Sequence, residues 1–187
     1  MKNLKIWTGE YHTIDAWGHR RIDATLVDGR AKPDHNDDVD GEANYQSFMR
    51  KLNASDARGR VYVVRNLSTA AAMMYPDEHF DWIYIDTLHT APAVAAELRA
   101  WWPKLRPGGL MSGDDYADAH NTPHLDKNRI YRRYPSHMFR IYHDYHWGVV
   151  RATQEFAREM QVPLFTTWLQ DCYNFAAWYM VKPFVFV

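Results

Sequence analysis

The chain has 187 residues, of which 47% are hydrophobic and 24% charged, and this composition predicts a single soluble domain over 1–187. Its formal net charge of −1 argues against binding nucleic acid or a membrane through overall charge. The single cysteine, Cys172, excludes a disulfide within the chain. Because there is also no apolar run of about 20 residues and no signal-peptide pattern, we expect a cytoplasmic protein.

The first half of the chain alternates strand-like and helix-like segments. Tyr45, Phe48, Met49 and Leu52 recur at helical spacing. A β-branched run follows, and Ser68 is placed to cap the next helix. In chain order the sequence predicts a strand (11–17), a polar loop (21–44), a helix (45–52), a strand (60–66) and a short helix (68–75).

The second half continues the alternation. A strand over 80–86 leads to a helix that Thr90 can cap, and "RPGG" (106–109) is expected to end this helix and turn the chain. The remaining predictions are a strand (110–116), a helix (149–160) and two closing strands (162–168 and 174–184).

This order predicts an α/β fold with a mostly parallel sheet, helices on both faces and a C-terminal antiparallel strand pair. Ligands of such sheets bind beyond the carboxyl ends of the strands. Four aspartates lie at or just after predicted strand ends, where we expect them to converge: Asp15, Asp86, Asp114 and Asp115. Turn chemistry also favours Asp after a strand, but four at equivalent places favour a site.

One long stretch carries a family resemblance. "FDWIYIDTLHTAPAVAAELRAWWPKLRPGGLMSGDDY" (80–116) resembles class I S-adenosylmethionine-dependent methyltransferases, in the branch that reads YIDxxH, WWPKLxPGG and GxDY. "GVVRATQEFARE" (148–159) and "TIDAWG" (13–18) resemble flanking parts of the same family. The resemblance extends over roughly 11–182 and implies a Rossmann-like fold.

The resemblance also implies S-adenosylmethionine as the methyl donor. Asp15 stands where the family has the acidic residue that holds the ribose hydroxyls, and a carboxylate can accept from both. Asn66, Leu67 and Ser68 stand in the loop that reaches the adenine, although the acidic residue often found there is missing. Asp86 is a further predicted cofactor-binding residue.

The front of the chain departs from the family pattern. The family begins with a central strand and a glycine-rich loop, whereas Gly9 is the only glycine before Asp15. This difference indicates an incomplete reading frame or a rearranged fold. We expect the gap in the sheet to be filled by residues 2–8 or by a second chain, and donor affinity to be weaker than in complete relatives.

The aspartates at the ends of the predicted strands 80–86 and 110–116 predict a divalent-cation site made by Asp86, Asp114 and Asp115. Asp114 replaces a histidine of the related pattern, so the oxygen-rich set favours Mg²⁺, Mn²⁺ or Ca²⁺ over zinc. His89 is the candidate general base beside Asp86, and the alternative is that it only caps the next helix or hydrogen-bonds Asp86. The predicted reaction is O-methylation of a small hydroxylated molecule.

Residues 117–146 read as a lid or substrate loop with interleaved basic and aromatic side chains. A solvated basic face is an equal alternative for this segment. Its histidines match no zinc spacing. Two other functions stay open: a methyltransferase-like binding or assembly protein that has lost the donor site, and a nucleic-acid-binding module, against which the neutral overall charge argues.

Overall fold

The computed structural model describes residues 9–17, 41–116, 148–167 and 176–184. The predicted lid over 117–146, most of the predicted polar loop and the predicted gap-filling strand over 2–8 lie outside these residues. The elements in chain order are β1 (Tyr11–Asp15), α1 (Gly41–Asn53), β2 (Val61–Arg65), α2 (Ser68–Ala72), β3 (Phe80–Ile85), α3 (Ala91–Trp101), β4 (Leu105–Gly113), α4 (Val149–Met160), β5 (Phe165–Thr166) and β6 (Trp178–Val181).

The strands form two sheets within the described part of the chain. β1 and β2 make a parallel pair, with Asp15 opposite Arg65. The second sheet has the order β3-β4-β6-β5. β3 and β4 are parallel, while β6 runs antiparallel to both β4 and β5. The predicted α/β class and the C-terminal antiparallel pair are therefore confirmed.

The hydrophobic core lies between one face of the larger sheet and helices α3 and α4. Alternate residues of the strands point to this face, and they are Ile83, Ile85, Met111, Trp178 and Met180. The helices contribute apolar side chains from the stripes that their spacing predicts, including Val94, Leu98, Val150 and Phe156. On the opposite face of β3, Trp82 and Tyr84 are about half exposed. The period of two along β3 thus separates its core side from its open side.

Several predicted element boundaries need correction, and the clearest differences are at α1, α2 and β4. α1 begins at Gly41 rather than at residue 45, and Gln46 donates to Glu42 across its first turn at 2.8 Å. α2 ends at Ala72 rather than at residue 75. The "RPGG" segment lies inside β4, because Leu105 already pairs with Phe80 and the register resumes only at Leu110 opposite Trp82.

The irregular first half of β4 is held by a residue near the end of the sequence. Gly108 adopts a positive φ of 75° there, a conformation that glycine allows at little steric cost. The ammonium of Lys182, just after β6, donates to the carbonyls of Leu105 at 2.7 Å and Trp102 at 3.2 Å. The irregular segment is therefore fixed by a residue that follows it by more than 70 positions.

Aromatic rings join the two sheets. The His12 ring of β1 stacks on Tyr62 of β2 at 4.8 Å and meets Phe80 of β3 edge-on at 5.3 Å. Its Nδ1 is hydrogen-bonded to the Tyr75 hydroxyl at 3.0 Å. Within the described ranges, no strand hydrogen-bonds to β3 on the side away from β4. None of the described helices has the length and apolar character needed to cross a membrane.

Candidate active site

The carboxyl ends of β3 and β4 carry a cluster of titratable side chains. Asp86 follows β3 directly, and His89 comes three residues later in the turn before α3. Asp114 and Asp115 follow β4 directly. Since β3 and β4 are parallel neighbours, their tips meet at the same edge of the sheet. The convergence of Asp86 with Asp114 and Asp115 that the sequence predicts is present.

His89 lies between the aspartates. Its Nε2 is 3.1 Å from Oδ2 of Asp115 and 3.8 Å from Oδ1 of Asp86. Asp86, His89 and Asp114 each offer one ligand atom, and these three atoms all lie within 4.8 Å of one another. Asp115 has a positive φ of 51°, which is uncommon for residues other than glycine. This conformation gives the two successive aspartates different surroundings, so that Asp115 contacts His89 while Asp114 completes the three-residue group.

Burial and mutual repulsion disfavour the charged carboxylates. Burial raises the pKa of Asp114 to about 6, and the charges of Asp86 and Asp115 add to this effect. Burial also raises the pKa of Asp115, against the opposite influence of His89. The pKa of Tyr84 is raised by burial and by the same three aspartates. An added cation or proton would relieve this repulsion.

Three buried oxygen atoms near the cluster have no hydrogen-bond partner among the described residues. They are Oδ1 of Asp114 and the hydroxyl oxygens of Thr87 and Thr90. A buried polar atom without a partner is costly, so the arrangement suits a polar ligand or an ion. The sequence prediction did not include Thr87 as a site residue and treated Thr90 only as a helix cap. No side-chain cap bond is made by Thr90.

Two glycines fix the turns that carry the cluster. At Gly113 an added Cβ would lie 2.5 Å from the Ile85 carbonyl oxygen and 2.6 Å from the Trp178 ring. Gly148, at the start of α4, donates its N–H to the His89 carbonyl at 2.9 Å. A Cβ at Gly148 would be 2.5 Å from Cβ of Ala91. Both positions require a close approach of backbone, which only glycine allows, and the sequence prediction overlooked both.

A second group of predicted site residues lies at the ends of β1 and β2. The N–H of Asn66 donates to the Asp15 carbonyl at 3.1 Å. Oδ1 of Asp15 accepts from the N–H of Trp17 at 2.7 Å, and its side chain is exposed. Oδ1 of Asn66 accepts from the N–H of Leu67 at 2.8 Å. The structure thus brings Asp15 and the 66–67 loop together at the edge of the smaller sheet.

Ser68 differs from its predicted neighbours. Leu67, not Ser68, occupies the N-cap position of α2, and no side-chain cap bond is made there. The Ser68 hydroxyl donates to Oε2 of Glu97 at 2.5 Å and accepts from Nε1 of Trp101 at 2.9 Å. Its side chain is therefore engaged with α3, and its predicted contact with adenine stays a prediction.

Solved structures of low sequence identity share this fold. An O-methyltransferase family protein from Burkholderia thailandensis aligns with a TM-score of 0.53 and 12% identity, over 97% of this chain and 53% of its own. A Bordetella parapertussis protein, described as a possible exported protein, aligns with a TM-score of 0.53 and 15% identity, over 94% of this chain and 62% of its own. A Corynebacterium glutamicum protein aligns with a TM-score of 0.50 and 12% identity, over 95% of this chain and 62% of its own. The fold is therefore Rossmann-like, and the chain spans less than two thirds of the length of these proteins.

The sequence itself also matches a known family. None of the curated proteins matches the chain. A family model described as a methyltransferase domain matches residues 2–116, which is more than half of the sequence. This segment contains β1 to β4, Asp15, the 66–67 loop and the whole acidic cluster. The chain belongs to the methyltransferase domain family.

Proposed function

We propose that the protein is an S-adenosylmethionine-dependent methyltransferase that methylates an oxygen of a small hydroxylated substrate, with assistance from a divalent cation. The observation that carries this proposal is the cluster of Asp86, His89, Asp114 and Asp115 at one sheet edge. Membership in the methyltransferase domain family supports the donor, and the chemistry of the cluster supports the oxygen acceptor.

The donor is proposed to bind at the ends of β1 and β2. The exposed Asp15 carboxylate would accept hydrogen bonds from the ribose hydroxyls. The 66–67 loop, linked to Asp15 through the Asn66 N–H, would line the adenine. Leu67 is exposed and offers an apolar contact for the base. Asp86 lies at the end of β3 and would complete the donor site.

The acidic cluster fits a cation by its donor set. Asp86, His89 and Asp114 supply two carboxylates and one imidazole, and Oδ1 of Asp114 has no partner in the described part of the chain. The sequence prediction also named Asp115 as a ligand. Asp115 contacts His89 and lies outside the three-residue group, and its role as a ligand stays a prediction. The imidazole makes Mn²⁺ a better fit than Mg²⁺, because Mn²⁺ binds nitrogen ligands more readily. A bound cation would lower the pKa of a substrate hydroxyl.

His89 is the proposed proton acceptor in the reaction. The substrate O–H bond breaks, and the proton passes to the imidazole. The substrate oxygen would then form a bond to the methyl carbon of the donor, and the electron pair of the broken carbon–sulfur bond would stay on sulfur. Asp115, at 3.1 Å from Nε2, would stabilise the imidazolium that results. During this step the cation would be held by the carboxylates of Asp86 and Asp114, so that the imidazole of His89 is available for the proton.

Calorimetry with S-adenosylhomocysteine, the product form of the donor, tests the proposal directly. We expect wild-type protein to bind it and Asp15→Asn to bind about tenfold more weakly, since hydrogen bonds to charged groups contribute about 1.5–3 kcal/mol. Asp81→Asn is the matched control, because Asp81 is an exposed β3 residue paired with Arg106 at 2.7 Å. It should leave the affinity unchanged.

A second experiment addresses the acceptor oxygen and the cation. Wild-type protein with methyl-labelled donor is incubated with a panel of small hydroxylated molecules, with and without Mn²⁺. Label should appear on oxygen, and Asp86→Asn should reduce both Mn²⁺ binding and turnover. Absence of any donor binding at millimolar concentration would support the alternative, a binding or assembly protein with this fold.

A further inference from the structure

A buried carboxylate lies outside the acidic cluster. Glu97, in the middle of α3, is only 7% exposed. Glutamates are seldom this buried unless they are paired, so its position calls for a physical reason. Its Oε2 accepts from the Ser68 hydroxyl at 2.5 Å and from Nε1 of Trp101 at 3.1 Å. Trp101 also donates to the Ser68 oxygen at 2.9 Å, which closes a three-membered network.

Two members of the network, Glu97 and Trp101, are buried, and Ser68 is partly buried. Trp101 is 3% exposed, and Ala71 and Ala72 of α2 are at 0% and 1%. Hydrogen bonds in surroundings of low dielectric constant are stronger than exposed ones. The network therefore fixes the start of α2 against α3.

The start of α2 is continuous with the proposed donor-binding loop. Ser68 follows Asn66 and Leu67 directly, and the Leu67 carbonyl accepts from the Ala71 N–H at 2.8 Å. Asn66 is in turn joined to Asp15. A chain of bonded contacts thus runs from Glu97 through Ser68 and the loop to Asp15.

We propose that Glu97 is a positioning residue for the methyl donor, which holds the 66–67 loop in its binding conformation through the Ser68 hydroxyl. This inference rests on the proposed function, because it assumes that the loop contacts the donor. In this proposal Glu97 acts through the Ser68 hydroxyl and not through a contact of its own with the methyl donor. The alternative is that the network only stabilises the packing of α2 on α3.

The two readings differ in a double-mutant cycle. Glu97→Leu removes the carboxylate that accepts the hydrogen bonds. Ser68→Ala removes the hydroxyl that donates one of them. Glu97→Gln keeps one side-chain oxygen in place. Affinity for S-adenosylhomocysteine is measured by calorimetry for each variant and for the double variant. We expect Glu97→Leu and Ser68→Ala each to weaken binding about tenfold, and the double variant to lose little more, because residues in one network are strongly coupled. Glu97→Gln should stay within about threefold of wild type.

Phe156→Leu provides the control for general destabilisation. Phe156 is buried and packs on Trp102 with ring centroids 5.4 Å apart, so its replacement loosens α3 against α4 without touching the network. It should lower the melting temperature and leave the affinity unchanged. Amide hydrogen exchange without any ligand gives a second readout: exchange at Ala71 should be faster in Glu97→Leu and unaltered in Phe156→Leu.

Each outcome bears on the inference. If wild-type protein binds S-adenosylhomocysteine and Glu97→Leu binds it equally well, Glu97 is structural only and the inference is wrong. If wild-type protein does not bind it, the proposed function fails and this inference fails with it. Should Glu97→Leu not fold, the Ser68→Ala and Glu97→Gln pair decides, since tenfold weaker binding in the first and near-native binding in the second are required.

Discussion

The two strand groups differ in how deeply they are packed. The β1–β2 region (9–17 and 41–65) has no buried side chain in β1, α1 or β2 among the described residues. The β3–β6 region (80–116, 148–167 and 176–184) contains Leu98, Leu105, Met111 and Met180, all at 0% exposure. Of the proposed contacts to the methyl donor, Asp15 lies in the first region and the 66–67 loop directly follows it, while the acidic cluster, which includes Asp86, lies in the second region.

This difference separates the two parts of the proposed chemistry. The acidic cluster is carried by turns that the core and two glycines hold in place, which suits groups that must keep fixed distances. The 66–67 loop is linked to α3 through Ser68 and Glu97. Regions with few buried contacts open at lower free energy, so we expect the donor side to be the more easily perturbed.

The largest expected effect is on stability. Leu98→Ala should lower the free energy of unfolding by about 2–5 kcal/mol, because it leaves a cavity in the core. Met49→Ala in α1, which is only partly buried, should cost about 1 kcal/mol or less. Denaturant unfolding of both variants measures the contrast. Equal losses would show that the β1–β2 region is packed as tightly as the other.

Cation binding should stabilise through the β3–β6 region alone. At 10–100 times its dissociation constant, Mn²⁺ should add about 1.4–2.7 kcal/mol to the free energy of unfolding. Asp86→Asn should abolish this gain, while Asp15→Asn should keep it. Thermal melts with and without the ion measure both. A gain that survives Asp86→Asn would place any bound cation elsewhere.

The pH dependence of stability should reflect Asp114. Its pKa in the folded protein is raised to about 6, above the unfolded value, so the folded state favours the protonated form. Stability should therefore rise as pH falls from about 7 toward 4 in metal-free protein. Asp114→Asn should add roughly 1 kcal/mol at pH 7.5, a value reduced for the half-buried setting, and should flatten the profile.

The smallest effect on stability should come from His12, whose ring contacts Tyr62 of the β1–β2 region and Phe80 of the β3–β6 region. Burial lowers the pKa of His12, the neighbouring His79 adds to this, and Glu10 opposes it. A histidine with a lowered folded pKa loses stability as pH falls through about 6.5. Relative to His12→Phe, wild-type protein should lose a few tenths of a kcal/mol between pH 7.5 and 5.5. Urea unfolding at the two pH values measures the difference, and no relative change would mean that His12 protonates freely.

The sequence predicts strand ends better than side-chain directions. Period-two and helical patterns place β3 and α4 almost at their observed bounds, and parallel order brings Asp86 near Asp114. The contact of His89 with Asp115 depends on the positive φ of Asp115, which no local pattern predicts. Ser68 suits a helix cap locally, yet its hydroxyl bonds to Glu97, 29 residues away. Such long-range partners require the folded structure.

The position of β6 has a consequence for folding during synthesis. β4 ends at Gly113, whose partner Trp178 is made roughly 65 residues later, or about 3–13 s at 5–20 residues per second. Throughout that interval the growing chain has one edge of β4 without β6, and Lys182 cannot yet hold the corner at Leu105. The end of β4 that carries Asp114 and Asp115 therefore reaches its final packing late in synthesis. Until then, the unpaired apolar edge of β4 is the part of the nascent chain most exposed to aggregation.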